Sequence, residues 1–421
     1  MNPNTETTNW RFYLIPLDRV RFGVEQDPDR QDYLVKSRAW PQQTALLGLL
    51  RYELLRSNGL LLKPGEKWVQ GHGKIDALIG KASFDGQQLS HGVIREIGPA
   101  SVCKFDQTRE SFSNENLVED FFYRSGAIKP TKLFFPTINL REGLSKLCQD
   151  LKVRVSYGGS PEDAWIFDNY NVKVNKPNDL LLTSLDGGEN IPLYSHESIN
   201  NTFDLESKRQ GSKGVFVSVR TAGVTKDYTG QLDEEQKQGH YYVAESYSMH
   251  SDFGFSFTAF ISSQTEVSEG LNYFVPDWSK TRLVRFGSDG YPWILWGEKE
   301  FILADPPEGN GSNFLLLTDA RVSREIFDWS NAVVGDVEHF RNQQKKTAQK
   351  FYHHSTHSVL DESESVNDSF HSSTLLKRGT VIWVKPEYSG NVSKMLKEQF
   401  KPWHNIGYNR FVRFDESDSI N

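Results

Sequence analysis

Short runs rich in aromatic and β-branched residues recur along this chain, and such runs predict β-strands. They occupy positions 10–22, 93–97, 133–138, 152–157, 165–174, 215–220, 240–247, 254–261 and 380–384. Two further runs, 282–286 and 291–296, flank the sequence Gly287-Ser-Asp-Gly290. This arrangement predicts a β-hairpin with a glycine-containing turn.

Leucines at helical spacing predict one long helix at positions 41–56. Pro41 falls in its first turn, where proline is tolerated, and Asn58-Gly59 is a typical stop signal. Shorter helices are expected at 141–151, 323–329 and 393–400. Strands and helices therefore alternate in two successive sets, which predicts an α+β fold with two similar halves.

A polar, loop-rich stretch at positions 175–213 separates the two sets of predicted elements. We therefore place a domain boundary at its end, which gives an N-terminal domain at 1–213 and a C-terminal domain at 214–421. Within the second domain, positions 335–373 are rich in His, Ser, Lys and Glu, with few apolar anchors. We expect this segment to be a mobile, peripheral insertion.

Charge and cysteine content narrow the class of protein. Lys and Arg total 48 and Asp and Glu total 55, so the 421-residue chain carries a net charge of −7. A protein that coats long stretches of duplex is normally basic, so we do not expect that role, whereas a local basic groove is compatible with this composition. The longest strongly apolar stretch, at 45–50, is far shorter than the roughly 20 residues of a membrane span. With no visible secretory signal and only Cys103 and Cys148, we expect a cytoplasmic protein with no membrane association.

Aromatic residues make up 13% of the chain, and two explanations remain open. Aromatic side chains pack well in β-rich cores, and they also form stacking surfaces for nucleic-acid bases.

Motifs for catalysis and for cofactors are scarce. The chain has no Walker A sequence, no Rossmann Gly-x-Gly-x-x-Gly and no nucleophile elbow. The stretch Gly71-His-Gly-Lys74 lacks the spacing of a phosphate loop. We therefore expect no cofactor and no enzymatic activity.

Histidines and other polar residues leave two weaker alternatives. A metal site at His353, His354, His357 and His371 is disfavoured because Lys345, Lys346 and Lys350 precede it, so we expect no bound metal. Acid–base chemistry of the kind used in metal-independent RNA cleavage would draw on Asp18, His72, His91 and Tyr123.

Basic, amide and glycine residues cluster at the predicted ends of strands and helices, where backbone N–H groups remain available to a sugar–phosphate chain. The turn at positions 38–44 leads into the N-terminus of the long helix, where free backbone N–H groups and the helix dipole favour a bound phosphate. We expect Gly48, within that helix, to permit close packing. The candidate RNA-binding residues are Arg38, Gln42, Gln43, Thr44, Arg220, Lys226, Arg282, Arg285, Gly287, Ser288, Gly407, Tyr408, Asn409 and Arg410.

Taken in order, several of these segments resemble a known family. The series is Phe12-Tyr-Leu-Ile-Pro-Leu-Asp18, Trp40-Pro-Gln-Gln-Thr-Ala-Leu-Leu-Gly-Leu-Leu-Arg51, Gly223-Val224, Gly239-His-Tyr-Tyr-Val-Ala-Glu245, Arg285-Phe-Gly-Ser-Asp-Gly290, Gly379-Thr-Val-Ile-Trp383 and Ile406-Gly-Tyr-Asn409. It resembles the RAMP-superfamily subunit of type III-B CRISPR effector (Cmr) complexes that caps the 5′ end of the guide RNA.

The resemblance implies two ferredoxin-like (RRM-related) RAMP domains with insertions. It also implies a non-catalytic role in antiviral defence: binding the repeat-derived 5′ tag of the guide (crRNA), and bridging a large polymerase-like signalling subunit to the backbone RAMP subunits. Contact with target RNA would be indirect. Two alternatives remain: a RAMP-type endoribonuclease that processes precursor guide RNA, and a structural protein-interaction module without RNA contact.

Overall fold

The computed structural model describes residues 7–23, 34–35, 37–61, 73–80, 84, 86–87, 89, 91–105, 130–138, 154–155, 167–168, 180–184, 190–192, 214–224, 241–262, 274–288, 290–299, 311–323, 325–334, 337–341 and 372–414. The helix predicted at 141–151 and most of the insertion predicted at 335–373 lie outside these residues.

Strands dominate the described residues. In chain order they are β1 (Thr7–Pro16), β2 (Phe22–Gly23), β3 (Leu34–Val35), β4 (Ser37–Arg38), β5 (Ile94–Ile97), β6 (Ser101–Phe105), β7 (Pro130–Ile138), β8 (Arg154–Val155), β9 (Phe167–Asp168), β10 (Leu180–Ser184), β11 (Asn190–Pro192), β12 (Phe216–Val224), β13 (Tyr241–Met249), β14 (Phe253–Ser262), β15 (Arg282–Phe286), β16 (Tyr291–Lys299), β17 (Asn313–Leu316), β18 (Ala320–Arg321), β19 (Ser330–Val334), β20 (Val337–Arg341), β21 (Ser372–Leu376), β22 (Val381–Val384) and β23 (Phe411–Phe414).

The helices are α1 (Gln43–Ser57), α2 (Gly73–Ile79), α3 (Glu325–Trp329), α4 (Ser389–Lys394) and α5 (Lys401–Asn405). A 3-10 turn, Pro386–Tyr388, precedes α4, and a π-helical turn, Met395–Gln399, links α4 to α5. None of the helices in the described ranges is both long and apolar enough to cross a membrane.

The main sheet is antiparallel and has β1 near its centre. Its strands follow the order β11-β10-β7-β6-β14-β1-β16-β15, and β5 also pairs with β14. Trp10 of β1 stands opposite Ala259 of β14 on one edge and Lys299 of β16 on the other. Since β1 and β6 are both antiparallel to the β14 strand between them, and α1 connects them in sequence, the arrangement is a split β–α–β unit.

A second antiparallel sheet repeats this order with strands that come later in the chain. Its order is β19-β22-β17-β23, with α3 between β17 and β19 in sequence and α4 and α5 between β22 and β23. The corresponding four strands of the main sheet are β1, β6, β14 and β16, and those of the second sheet are β17, β19, β22 and β23. In each sheet the first of these four lies between the third and the fourth, which is the order of the ferredoxin-like arrangement. The α+β fold is confirmed.

The sheets divide the chain at a different place from the predicted boundary. β14, β15 and β16 come after residue 213, yet they belong to the sheet of β1, and the second set of strands begins at Asn313. The physical reason is that β1 is buried on both faces and needs a partner on each edge. Those partners come from distant parts of the chain.

Alternating residues of β1 supply two hydrophobic clusters. Phe12 and Leu14 pack on the side of α1, with its fully buried Leu46 and Leu50, whereas Tyr13 and its neighbours form a cluster on the opposite face. Most described aromatic side chains are buried in these clusters, which agrees with the core-packing explanation of the aromatic content.

Buried polar contacts join the second sheet to the segment before α1. Arg378 forms an ion pair with Asp319 at 2.9 Å, its guanidinium lies 5.2 Å from the centre of the Trp40 ring, and it donates to the carbonyl of Pro41. Burial alone would raise the pKa of Asp319, but the charge and the hydrogen bonds of Arg378 outweigh it, so the pKa is lowered. The contact therefore holds Asp319 as a carboxylate inside the protein.

We predict that Arg378→Met destabilises the protein strongly, by about 3–5 kcal/mol, because it leaves the buried Asp319 carboxylate without its cation. Urea unfolding measures the change. Lys394→Met is the control, since Lys394 is exposed on α4 and surface substitutions usually change stability by less than about 0.5 kcal/mol. Equal effects of the two substitutions would contradict the role of the ion pair.

His404 of α5 is held neutral by its surroundings. Burial, together with the positive charges of Arg410, Lys397 and Lys401, lowers the pKa of His404 to about 3. In the unfolded chain this imidazole titrates near its ordinary pKa of about 6.5. Between these values the unfolded state binds a proton that the folded state does not, so stability decreases as the pH falls from about 6.5 towards 3.

We predict that His404→Gln makes stability less dependent on pH in this window, by up to about 1.4 kcal/mol per pH unit. The measurement is a series of urea unfolding curves between pH 7 and pH 4, compared with the parent protein. A slope identical to that of the parent would contradict the assignment.

Candidate functional site

A groove between α1 and the β15–β16 hairpin is the candidate site. It encloses about 340 Å³ and is lined by Phe22, Gly23, Gln42, Ala45, Gly48, Leu49, Tyr52, Arg285, Phe286, Gly287 and Ser288. Three segments that are far apart in sequence thus meet at one surface.

The hairpin turn is fixed against the strand of Phe22. Gly287 has φ 89°, and a Cβ at this position would lie 2.5 Å from the carbonyl oxygen of Arg21. Ser288 donates its backbone N–H to the same oxygen at 2.8 Å. Glycine is therefore required at 287 for this approach, and the turn is a rigid wall of the groove.

The other end of the groove is fixed by a buried carboxylate. Glu53 of α1 is fully buried and lies 3.2 Å from Arg56 and 3.7 Å from Arg282. Arg56 also donates to the carbonyl of Leu283 on β15 at 3.2 Å. These contacts hold the C-terminal turn of α1 against β15, so the groove has a set width.

The lining of the groove favours an anionic ligand. Arg285 is exposed on the hairpin wall, Gln42 stands at the start of α1, and the described residues that line the groove include no carboxylate. A phosphate group could therefore pair with Arg285 here.

Gln42, Arg285, Gly287 and Ser288, which the sequence analysis proposed as binding residues, all line this groove. Arg38 lies beside it, since its backbone pairs with Phe22. The structure therefore brings together residues of two predicted segments, separated by more than 240 positions.

Arg220 is exposed on β12 and does not line the groove, but its neighbour Thr221 contacts a residue that is near the groove in sequence. Arg19 donates to the side chain of Thr221 at 2.6 Å. Arg19 is four residues from Gly23 of the groove, a separation of at most roughly 14 Å along an extended chain. Lys226, the other candidate in this segment, lies outside the described residues.

The loop 407–410 is buried and does not line the groove, which corrects the predicted role of its residues. Tyr408 is 1% exposed, and its ring packs edge-on against Trp403. Asn409 bonds with its side chain to the backbone of Arg321, and Arg410 forms an ion pair with Glu96. A ring enclosed in this way cannot stack on a base.

The N-terminus of α1 faces the same loop, so the expected phosphate position there is also corrected. Burial and the negative charge of Asp319 together raise the pKa of Tyr408 to about 12, although hydrogen bonds with the side chain and backbone of Thr44 act in the opposite direction. Gln43 is fully buried, close to Gly407. Gln43 and Thr44 of the first turn are therefore directed towards the 407–410 loop, whereas Gln42 and Ala45 line the groove.

Arg282 is also a structural residue. Besides its ion pair with Glu53, it donates to Ser57 and to the carbonyl of Asp277, and it lies 5.2 Å from the centre of the Trp278 ring. Burial lowers its pKa, while the charge of Glu53 opposes that effect. These partners explain its position without a ligand.

Two groove residues were missed by the sequence analysis. Gly48 is exposed, and no atom lies within 4 Å of the position of a Cβ, so the expected close packing at this glycine is wrong. Tyr52, one helical turn later, is 47% exposed. Their four-residue spacing on the polar face of α1 was a signal available in the sequence.

The residues considered for catalysis and metal binding form no site among the described residues. His91 is fully buried, with its Nδ1 atom 3.4 Å from Nη2 of Arg51, whereas Asp18 is exposed. No cluster of three metal-ligating side chains occurs in the part of the chain that the structure describes. Other candidates, namely His72, Tyr123, His353, His354, His357 and His371, lie outside that part.

We predict that Gly407→Ala destabilises the protein by more than about 1 kcal/mol. Gly407 has φ 92°, and a Cβ would lie 2.7 Å from both Gln43 Oε1 and the Gly98 carbonyl. Gly290→Ala is the matched control, because Gly290 also has positive φ (62°), but a Cβ there would lie 3.8 Å from its nearest neighbour, the Cδ atom of Arg285. Thermal unfolding compares the two, and an equal loss would contradict the tight packing at Gly407.

No protein-family model and no curated protein matches the chain. Among solved structures, it is similar to a chain of a type III-B Cmr-beta complex bound to cognate target RNA and AMPPnP, with 12% identity over 94% of both chains and a TM-score of 0.43. A second such chain, from the complex bound to cognate target RNA, has 12% identity over 96% of both chains and a TM-score of 0.43. A third, from the apo state, has 10% identity, covers 70% of this chain and 98% of the other, and has a TM-score of 0.25. All three TM-scores are below 0.5.

Proposed function

We propose that the protein is a non-catalytic subunit of a type III-B CRISPR RNA-guided effector complex that binds the 5′ tag of the guide RNA. In that role it bridges a large signalling subunit to the backbone subunits. The observation that carries the proposal is the groove, where Gln42, Arg285, Gly287 and Ser288 meet. These residues belong to the ordered series of segments that resembles the family.

The chemistry of the groove suits a single RNA strand. Single-stranded RNA is bound through its phosphates by basic side chains and backbone N–H groups, and through its bases by exposed aromatic rings. Arg285 provides the cation and Tyr52 an exposed ring. The overall negative charge of the chain agrees with a local RNA site rather than with general coating of nucleic acid.

The identity of the RNA is tested by isolating the complex from its host and sequencing the RNA that it carries. The proposal expects guide RNAs that share one 5′ end. RNAs without a common 5′ end would overturn it, and so would specific, metal-free cleavage of repeat RNA by the purified chain.

We predict that Arg285→Ala weakens binding of this guide RNA and reduces the slope of log affinity against log salt by about one unit. Arg220→Ala should have the same kind of effect if the strand continues along Arg19 and Thr221. Lys394→Ala is the control for loss of a positive charge elsewhere on the surface. Salt titrations of the assembled complex measure the slopes, and parental slopes in both arginine variants would place the RNA elsewhere.

A further inference from the structure

The exposed face of α1 is an unusual surface for a helix. Its exposed residues within the helix are Gly48, Tyr52 and Arg56, which recur every four positions and therefore form one line. We call these three residues the α1 stripe. Arg56 ends the stripe because it bonds to Glu53 and to the carbonyl of Leu283, which leaves Gly48 and Tyr52 as the open part.

Gly48 has no packing partner that explains a glycine. Glycine inside a helix lowers stability relative to alanine, and the space where a Cβ would stand is empty to 4 Å. Its φ lies outside the positive range that favours glycine. Because Gly48 has no side chain, the surface of the groove beside Tyr52 is left uncovered.

The groove beside the open part of the stripe is preformed. Glu53 and Arg56 hold one end, and the bond between Ser288 and Arg21 holds the other. Its volume of about 340 Å³ falls within the range of roughly 300–1,000 Å³ that is typical of small-ligand sites. Arg285 on the opposite wall, with no carboxylate among the described lining residues, favours an anionic ligand, and the exposed ring of Tyr52 offers a flat surface to it.

We propose that Tyr52 stacks on one base of a single-stranded RNA while the sugar–phosphate chain passes over Gly48 and faces Arg285. This rests on the proposed RNA-binding role of the groove and adds the residue that holds a base, since Tyr408 is enclosed. Stacking on an aromatic ring works with any base. The subsite therefore takes a nucleotide without requiring a particular sequence.

The first test measures binding of fluorescein-labelled oligouridylate and oligoadenylate of about ten nucleotides to the purified full chain. Tyr52→Ala should weaken binding about 5- to 150-fold with little change in salt dependence, whereas Tyr52→Phe should retain the affinity. Tyr52→Leu separates stacking from general apolar contact and should behave like the alanine variant. Phe274→Ala is the control, since Phe274 is 59% exposed but does not line the groove.

The second test fills the space over Gly48. Gly48→Leu should weaken binding of both oligonucleotides by about tenfold or more, because its side chain occupies the path of the strand. Gly390→Leu is the matched control: Gly390 lies in helix α4, is exposed, and also has no atom within 4 Å of a Cβ position. Urea unfolding of both variants confirms that they are folded.

Parental affinity in Tyr52→Ala, or in Gly48→Leu, would overturn the proposal, and so would equal affinities of Tyr52→Phe and Tyr52→Leu. Unchanged RNA binding combined with release of a protein subunit from the host complex would identify the stripe as a protein interface instead. These outcomes are separate from the proposed function. Co-purified RNAs without a common 5′ end would refute tag binding while leaving base stacking by Tyr52 intact.

Discussion

The pairing of Asp319 with Arg378 is the contact on which the arrangement of the two sheets depends. Neither side chain has enough exposure to be solvated by bulk water, so the pair is stable only when the second sheet and the segment before α1 are together. Arg378 covers Trp40 and bonds to Pro41, and thus reaches the residues that lead into α1. The start of the helix that forms the groove is positioned by a cation from the far end of the chain.

A second buried carboxylate acts at the other end of the same helix. Glu53 forms ion pairs with Arg56 and Arg282. Arg56 also donates a hydrogen bond to the carbonyl of Leu283, and Arg282 to the carbonyl of Asp277, both outside α1. A charge inside the protein is favourable only with such partners. The two acidic residues, Asp319 and Glu53, therefore fix α1 at both ends, and the groove between α1 and β15 has its shape before any ligand binds.

Local sequence patterns predicted the elements that form the groove. The leucine spacing of α1 and the glycine turn of the β15–β16 hairpin are properties of short segments, and both were recognised. The burial of Tyr408 was not predictable in this way, because its surroundings come from Thr44 and Trp403, the first of them more than 360 positions away. Arg282 was misjudged for the same reason, since its carboxylate partner Glu53 lies on another element. Tyr52 could have been found, because an aromatic residue among the exposed positions of a helix is visible in its periodicity.

The central position of β1 has a consequence for synthesis of the protein. Trp10 pairs with Ala259 and with Lys299, so 249 residues must be made after it before its first partner exists. At a translation rate of roughly 5–20 residues per second, this takes about 12–50 s. For that time an apolar strand with both hydrogen-bonding edges open is attached to the ribosome, and open edges are sites of aggregation. Both edges of β1 are covered only after β14 and β16 have been made and pair with it.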